Sequence, residues 1–409
     1  MQRALETDAT AADARERLMA FVAEMVASFS HVRQRENALL YVRGLVEHGG
    51  RKSLWPTLFR LGEDAARYES LQQFLADSPW DPDMLVRACA ERVVPEIEVS
   101  AWVIDDTGIP KVGSHSPGVK RQYSGTLGKV DSCQITVSLH AAGSRGTAPL
   151  GWALYLPEEW CGDGPRREKA KIPEGVTFKT KPQLATALAA QAADWEIPRA
   201  PILADQAYGD DTAFRTGLHD LKLTYLVAVS PQLGVFEPGT GFKAPAKSAR
   251  PGRPVVRHRP DRKPVSVSAL ARELNPGAWQ TLPYRTTKAG EEVVSRFAFV
   301  RVWAANAVER RGEEPRTEWL IIEWPQDTEA PTDYWLSNLP EDSESEHLAR
   351  LARLRWTIEL DYRQLKGELG LAHYEGRSYP GFHHHCALVT CAHAFLTLER
   401  LSPKVRRPD

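Results

Sequence analysis

Hydrophobic residues recur at intervals of three and four positions along the first quarter of the chain. The spacing is clearest over residues 14–29 and 54–78, and it predicts amphipathic helices in both stretches. The turn DSPWDPD follows, and its Asp and Ser residues are suitable N-caps for a further helix. Residues 1–98 are therefore predicted to form an all-helical domain of about five helices.

The pattern changes near residue 99. VSAWVIDD, SCQITVSLHAAG and GWALYLP are short runs rich in β-branched and aromatic residues, as is typical of strands. Farther on, helical KPQLATALAAQAADW and DTAFRTGLHDL alternate with strand-like PILAD and TYLVAVS. Helices alternating with strands predict an α/β layer with a mixed sheet over residues 99–232.

This regular alternation stops over residues 233–340, although RFAFVRVWAA and EWLIIEW still predict strands. Residues 241–263 carry eight Lys or Arg and a single acid. Such a composition cannot build a core, so it predicts a basic loop within a β-rich insertion, either simply solvated or in contact with phosphates. Helical periodicity returns over residues 341–409.

The overall charges balance, with 52 Lys and Arg against 53 Asp and Glu and a net charge of −1. Any surface that binds nucleic acid must therefore come from local clustering of basic residues. Five cysteines without a CxxC pair argue against a disulfide framework and favour a reducing compartment. The chain shows neither a signal-peptide pattern nor an apolar run of membrane length, which favours a soluble cytoplasmic protein.

Two of the strand-like runs end in carboxylates. VSAWVIDD ends in Asp105 and Asp106, and PILAD ends in Asp205. Ligands and metal ions are usually held at strand ends in α/β sheets, and a buried strand that ends in an unpaired acid is costly. Taken singly, each acid is more readily a turn or N-cap residue. Because successive strand residues point to opposite faces, only one of Asp105 and Asp106 can face a metal.

A third carboxylate lies in the helical segment LARLRWTIELDYRQLKGEL. At 100° per residue along one continuous helix, the hydrophobic residues form a single stripe that must face a core: Leu351, Leu354, Ile358, Leu365 and Leu369. A second stripe lies beside it and contains Arg355, Glu359, Tyr362 and Lys366. One acid between two bases at the margin of a core suits an active site or, equally, a surface salt-bridge ladder.

Asp105, Asp205 and Glu359 together would suit two hard divalent cations, Mg²⁺ or Mn²⁺, whose shells are completed by water and phosphate. Two such metals activate the attacking oxygen and stabilise the leaving oxygen in phosphodiester chemistry. Arg355 and Lys366 would then contact the phosphates of a bound strand.

With these residues the chain resembles the DDE transposases of bacterial insertion sequences. Arg355, Glu359 and Lys366 match the signature Y-x-x-R-x-x-x-E-x-x-x-x-x-x-K at the required spacings, with Ala352 in place of the tyrosine. The run TGIPKVGSHSPGVKRQYSGTLGK is more specific, and it is similar to the branch named for the insertion sequence numbered seven hundred and one. The blocks WVIDDTG, LADQAYGDD and LDYRQLKGELGLAHYEG extend the resemblance over most of the chain.

The resemblance implies an α/β, ribonuclease-H-like catalytic domain with a β-rich insertion, preceded by a helical domain that binds DNA ends. It implies that Asp105, Asp205 and Glu359 are the catalytic, metal-binding residues, since the family pattern Asp-x-Thr selects Asp105 over Asp106. Trp335 would stack on an extruded base, or else it is a core aromatic. The residues expected to contact DNA are Arg355, Lys366, Tyr362, Trp335, Lys129 and Arg121.

The implied function is that of a transposase that binds the terminal inverted repeats of its element, cleaves them and joins the 3′ ends to target DNA. Its partners would be double-stranded DNA and, in the synaptic complex, a second protomer. No nucleotide cofactor is expected, because QYSGTLGK lacks the spacing of a P-loop. The alternatives are a catalytically silent DNA-binding regulator and a nuclease that cuts without joining. His383, His384 and His385 are interpreted as core and capping residues of a helix rather than as zinc ligands.

Overall fold

The structure, a computed structural model, describes residues 2–47, 49–125, 128–243, 259–287, 289–305 and 315–402. Its helices are α1 (Gln2–Met25), α2 (Val32–Val46), α3 (Leu54–Leu61), α4 (Ala65–Ala76), α5 (Pro82–Val93), α6 (Glu158–Cys161), α7 (Gly164–Lys169), α8 (Lys181–Asp194), α9 (Gln206–Gly209), α10 (Thr212–Asp220), α11 (Val267–Glu273), α12 (Ser345–Leu354), α13 (Thr357–Arg363) and α14 (Tyr379–Leu401). A π-helix, Gln364–Glu368, follows α13 directly.

The strands are β1 (Val99–Pro110), β2 (Lys120–Ser124), β3 (Lys129–Gly143), β4 (Gly146–Tyr155), β5 (Ile202–Ala204), β6 (Tyr225–Ala228), β7 (Gly234–Phe236), β8 (Phe242–Lys243), β9 (Arg259–Pro260), β10 (Val265–Ser266), β11 (Trp279–Thr286), β12 (Glu292–Ala304), β13 (Glu318–Trp324) and β14 (Asp333–Ser337). The chain divides into two compact units. The first comprises Met1–Ser100, Ile104–Arg199 and Thr357–Asp409, and the second comprises Ala101–Val103 and Ala200–Trp356.

The first unit is built on the antiparallel strands β2, β3 and β4. β3 pairs with β2 along its first part and with β4 along its second part. The long helix α14 contacts β4 on the sheet and also α2, α4 and α5. The helices predicted over residues 1–98 are thus present as α1–α5, but they share one compact unit with β3, β4 and α14 rather than forming a separate body.

Local signals explain where several of these helices begin. The Asp64 side chain accepts the N–H of Arg67 at the start of α4, and the Asp81 side chain accepts the N–H of Asp83 at the start of α5. Thr180 and Gln183 form a reciprocal capping box at the start of α8. These are the short polar residues that best satisfy the free N–H groups of a first turn.

The second unit contains a mixed sheet. Residues Ala101–Val103 of β1 pair in parallel with β5, and β5 pairs in parallel with β6. From β6 the order continues through β14, β13 and β12 in antiparallel pairing, with β7 and β10 beyond and β11 on β12. Hydrophobic side chains of β12, β13 and β14 form the core with α11. Residues 233–340, predicted as an insertion, therefore continue the sheet that contains β5 and β6.

Two sequence predictions about these elements are wrong. β1 does not end at its acids but runs to Pro110, because the neighbouring β3 continues alongside it and Lys111 still donates its N–H to the carbonyl of Ser132 at 3.0 Å. The continuous helix expected around Glu359 is broken into α12 and α13 at residues 355–356. α12 packs on β6 and β11 within the second unit, whereas α13 is tied to β3 within the first, so each half follows the core of its own unit.

Most of the predicted basic loop lies outside the described residues, since residues 244–258 belong to none of the described ranges. Within the described ranges, no helix is long and apolar enough to cross a membrane.

Candidate active site

The two acids of β1 lie side by side in the first unit and have different partners. Asp106 Oδ2 accepts a hydrogen bond from Lys181 Nζ at 3.0 Å. Asp105 Oδ1 accepts the backbone N–H of Asp106 at 2.7 Å. Alternation along the strand sends the two side chains to opposite faces of β1. Lys181 therefore pairs with Asp106, the acid that the pattern Asp-x-Thr left out of the expected metal ligands.

Lys366 lies beside this acid pair. Its Nζ donates to the carbonyl oxygen of Gly108 on β1 at 3.0 Å. Burial lowers the pKa of Lys366 to about 8, and the nearby carboxylates of Asp105 and Asp106 oppose that shift. The structure therefore brings together one cation and two acids that the sequence separates by about 260 positions, as expected for a site.

Glu359 is in the first turn of α13 and is exposed. Arg355, in contrast, is partly buried in the turn after α12, in the second unit. Among the side chains that the structure describes, no three His, Cys, Asp or Glu residues are close enough to form a metal site by themselves. Mg²⁺ does not require such a cluster, because one or two carboxylates with water and substrate phosphate normally suffice. The carboxylates of Asp105 and Glu359 are hard oxygen donors of the kind that such a cation takes.

Tyr362 is not on a surface that DNA can reach. Its side chain is 5% exposed, and its hydroxyl bonds to Ser138 Oγ on β3 at 2.7 Å. Burial, reinforced by the charge of Asp105, raises the pKa of Tyr362 well above its usual value. We therefore correct the expected DNA contact: Tyr362 belongs to the core between α13 and β3.

A buried polar network surrounds Tyr362. His140 Nε2 lies 3.0 Å from Ser138 Oγ, and His140 Nδ1 lies 3.0 Å from Asp361 Oδ2. Thr147 donates to Asp361 Oδ1 at 2.6 Å. Burial opposes the charge of Asp361, but the hydrogen bond from His140 and the neighbouring histidines outweigh it and hold the pKa of this carboxyl below its usual value.

Ser138, His140 and Asp361 reproduce the hydrogen-bond order of a serine-hydrolase triad. All three are buried, however, and the Ser138 hydroxyl is hydrogen-bonded to the hydroxyl of Tyr362. A nucleophile must reach its substrate, so this arrangement does not support acyl transfer. The sequence did contain a signal for the network. Ser138 and His140 are polar residues two positions apart within a hydrophobic strand, where unpaired polar groups are costly.

Asp205 belongs to the second unit, directly after β5. It caps α9, with Oδ1 accepting the N–H of Ala207 at 2.9 Å. A carboxylate has enough lone pairs to cap a helix and also bind a cation. The short helix α9 ends at Gly209, where an added Cβ would lie 1.8 Å from the carbonyl oxygen of Ala228. The glycine of LADQAYG is therefore required by the close approach of α9 to β6.

Trp335 lies on β14 in the second unit, where it pairs with Ile321 on one side and Ala228 on the other. Its side chain is 6% exposed, and the Arg353 guanidinium lies 5.9 Å from the ring centroid. Arg353 is itself held by Glu323 at 2.7 Å. Of the two interpretations offered by the sequence, the structure gives the core aromatic.

The hairpin of β2 and β3 carries the two other predicted DNA contacts. Arg121 and Lys129 are both exposed, and Lys129 Nζ lies 2.9 Å from Asp131. Between them Tyr123 is 63% exposed and pairs across the hairpin with Val130. The sequence reasoning missed Tyr123, although an aromatic residue among basic ones is a known pattern for stacking on nucleic acid.

The histidine cluster is part of the core of the first unit. His383, His384 and His385 lie in the early turns of α14, which is capped by Ser378. The ring nitrogens of His384 lie within 3.0 Å of the carbonyls of Leu75 and Trp80. The interpretation as core residues is confirmed for His384 and His385, which are buried; His383 is partly buried, and Ser378 is the cap.

Comparison with known proteins adds two findings. Residues 24–290 match the family model described as DDE superfamily endonuclease; this range contains Asp105 and Asp205 and ends before Glu359. The chain is also 31% identical over 164 residues to the probable transposase for insertion sequence element IS701 from Microchaete diplosiphon. That alignment covers 39% of this chain and 40% of the relative, so it spans less than half of either protein.

Proposed function

The chain belongs to the DDE superfamily of endonucleases, and on that premise we propose that it is an insertion-sequence transposase. It would bind the terminal inverted repeats of its element, hydrolyse phosphodiester bonds there and join the 3′ ends to target DNA. The observation that carries the proposal is the partly buried acid pair of β1 with Lys366 beside it, within a chain of this superfamily. The catalytic domain would be ribonuclease-H-like.

We assign the metal-binding, catalytic role to Asp105, Asp205 and Glu359. In the second unit, Val103 of β1 pairs in register with Leu203 of β5. Asp105 follows Val103 by two residues, and Asp205 follows Leu203 by two residues. Mg²⁺ or Mn²⁺ bound by these carboxylates would stabilise charge on the phosphate. Asp106 is left out of the set because the family pattern Asp-x-Thr selects Asp105; Asp106 pairs with Lys181.

The basic residues would hold the DNA backbone. The hydrogen bond to the Gly108 carbonyl holds the Lys366 ammonium near the acids. An ammonium has three donors, so it would also donate to a phosphate at the scissile bond. Arg355 would contact the same strand, and Arg121 and Lys129 on the exposed hairpin would contact the duplex farther away. Neutralising phosphates in this way makes binding strongly dependent on salt.

The wider organisation follows from the same role. Helices α1–α5 would bind the DNA ends, and two protomers would meet in the synaptic complex because two ends must be joined together. The described part of the structure contains one chain, so the dimer is inferred from the reaction.

The experiment uses the DNA that flanks the gene, placed on a plasmid and incubated with the purified protein and Mg²⁺. Breaks mapped at paired inverted repeats are expected. Glu359→Gln should abolish them, and Glu368→Gln, which alters another exposed acid a few residues along the same segment, should not. Cleavage that persists in Glu359→Gln, or is lost equally in both variants, would remove the assignment of Glu359.

A further inference from the structure

The buried network in the first unit is a row of three hydrogen bonds, and the backbone between Asp361 and Tyr362 closes it into a ring. Tyr362 bonds to Ser138 at 2.7 Å, Ser138 to His140 at 3.0 Å, and His140 to Asp361 at 3.0 Å. Asp361 and Tyr362 are neighbours in α13, and Ser138 and His140 lie two positions apart on β3. The ring therefore clamps two adjacent residues of a helix to two same-face residues of a strand.

With a neutral imidazole at His140, the chemistry of the four groups gives every bond one direction. A carboxylate only accepts, so His140 must donate its Nδ1–H to Asp361. The other ring nitrogen, Nε2, then accepts the hydroxyl proton of Ser138, and Ser138 Oγ accepts the hydroxyl proton of Tyr362. Thr147 supplies a further donor to Asp361. Every donor in this ring has one acceptor, and removal of any one group takes a hydrogen bond from a buried neighbour.

Helix α13 needs an anchor of this kind. It spans only seven residues, between a turn and a π-helix, and a helix of that length is not stable by itself. Adjacent helical residues point about 100° apart, so pinning both Asp361 and Tyr362 fixes the rotation of the helix about its axis. Glu359 stands two residues before Asp361, and its direction is set by that rotation.

We propose that His140, Asp361 and Tyr362 are positioning residues for Glu359, holding its carboxylate in the direction needed to bind a divalent cation. The inference rests on the proposed metal-binding role of Glu359. None of the three touches the metal or the DNA. Groups that hydrogen-bond a metal ligand directly typically change metal affinity by about 10- to 100-fold when they are removed, and for positioning through the helix we expect the lower end of this range.

The test compares two substitutions that each delete one buried tyrosine hydroxyl in the same unit. Tyr362→Phe opens the ring, whereas Tyr41→Phe deletes the hydroxyl that bonds to His385 at 2.8 Å. Both changes preserve the aromatic side chain, and each removes one hydrogen bond from a buried partner, Ser138 or His385. Both variants should therefore fold, with similarly lowered urea midpoints. Ser138→Ala opens the ring from the strand side and serves as the second variant.

The readout is Mn²⁺ affinity, measured by electron paramagnetic resonance on the full chain without DNA. Tyr362→Phe and Ser138→Ala should each weaken Mn²⁺ binding by about tenfold, and Tyr41→Phe should leave it unchanged. Equal affinities in Tyr362→Phe and Tyr41→Phe would overturn the positioning role. Glu359→Gln tests the metal role of Glu359 separately from the positioning role of the network. If this variant binds Mn²⁺ as tightly as the wild type, the proposed metal role fails, and the inference fails with it.

Discussion

The two adjacent acids of β1 give the sharpest test of the site. Asp106→Asn removes the charged partner of Lys181, whose ammonium lies 3.0 Å away. The Lys181 side chain is 31% exposed and the Asp106 side chain 15% exposed. Exposed ion pairs contribute under about 1 kcal/mol, and breaking fully buried ones costs about 3 to 5 kcal/mol. For this half-buried pair we expect a coupling energy of about 1 to 2 kcal/mol.

Asp105→Asn should behave in the opposite way. Removing the Asp105 charge relieves repulsion from Asp106 but also removes attraction to the Lys366 ammonium, so the two effects on the free energy of unfolding oppose each other. Loss of a metal ligand, in contrast, removes several kcal/mol of transition-state stabilisation, which corresponds to a decrease in the cleavage rate of about a thousandfold. Asp106→Asn should reduce cleavage by less than about tenfold.

The assay has two parts. Urea unfolding of wild type, Asp106→Asn, Lys181→Met and the double variant yields the coupling energy from a double-mutant cycle. Cleavage of a plasmid that carries the element ends gives the rates. A coupling energy of zero would refute the pairing of Asp106 with Lys181 as a stabilising contact. A large loss of cleavage in Asp106→Asn with little loss in Asp105→Asn would reverse the assignment of the metal ligand.

Three further outcomes follow from packing and burial. Trp335→Ala should lower the free energy of unfolding by about 3 to 5 kcal/mol and slow first-strand nicking as much as later steps. An unchanged free energy of unfolding would contradict the core position of this residue. Gly209→Ala should be destabilising by about 3 kcal/mol or more, because its Cβ would meet the backbone of β6, whereas Gly175→Ala, with no atom within 4 Å, should be neutral in the same urea titration. Burial lowers the pKa of His385 to about 3 and of His393 to about 4. The unfolded chain therefore binds these protons first, so stability should be complete above about pH 6.5 and fall below it by up to about 1.4 kcal/mol per pH unit and histidine; equal urea midpoints at about pH 7 and about pH 5 would contradict this.

Elements with local signals were predicted well from the sequence. The helices α1–α5 have amphipathic spacing, α4 and α5 begin at capping aspartates, and β12 and β13 are rich in β-branched and aromatic residues. The division into two units has no such signal. β1 contributes three residues to one unit and its remainder to the other, and no composition change or linker marks that boundary.

The features that were missed depend on contacts between distant residues. The hydrophobic spacing continues through residues 355–356, because α12 and α13 both have hydrophobic residues at helical intervals. Only the packing of the two helices in separate units reveals the break between them. Tyr362 had the spacing of a marginal residue, but its hydroxyl finds Ser138 more than 200 positions away. Lys181 and Lys366 likewise reach the acids of β1 only in the folded chain.

The most direct test of the central claim is strand transfer. Pre-cleaved element ends would be incubated with a supercoiled target plasmid, Mg²⁺ and either the wild-type chain or Glu359→Gln. If the chain is a transposase, we expect paired ends joined to the target through their 3′ strands, in the wild-type reaction alone. Ends that are cut efficiently in the parallel cleavage assay and yet never joined would contradict transposase function and identify a nuclease instead.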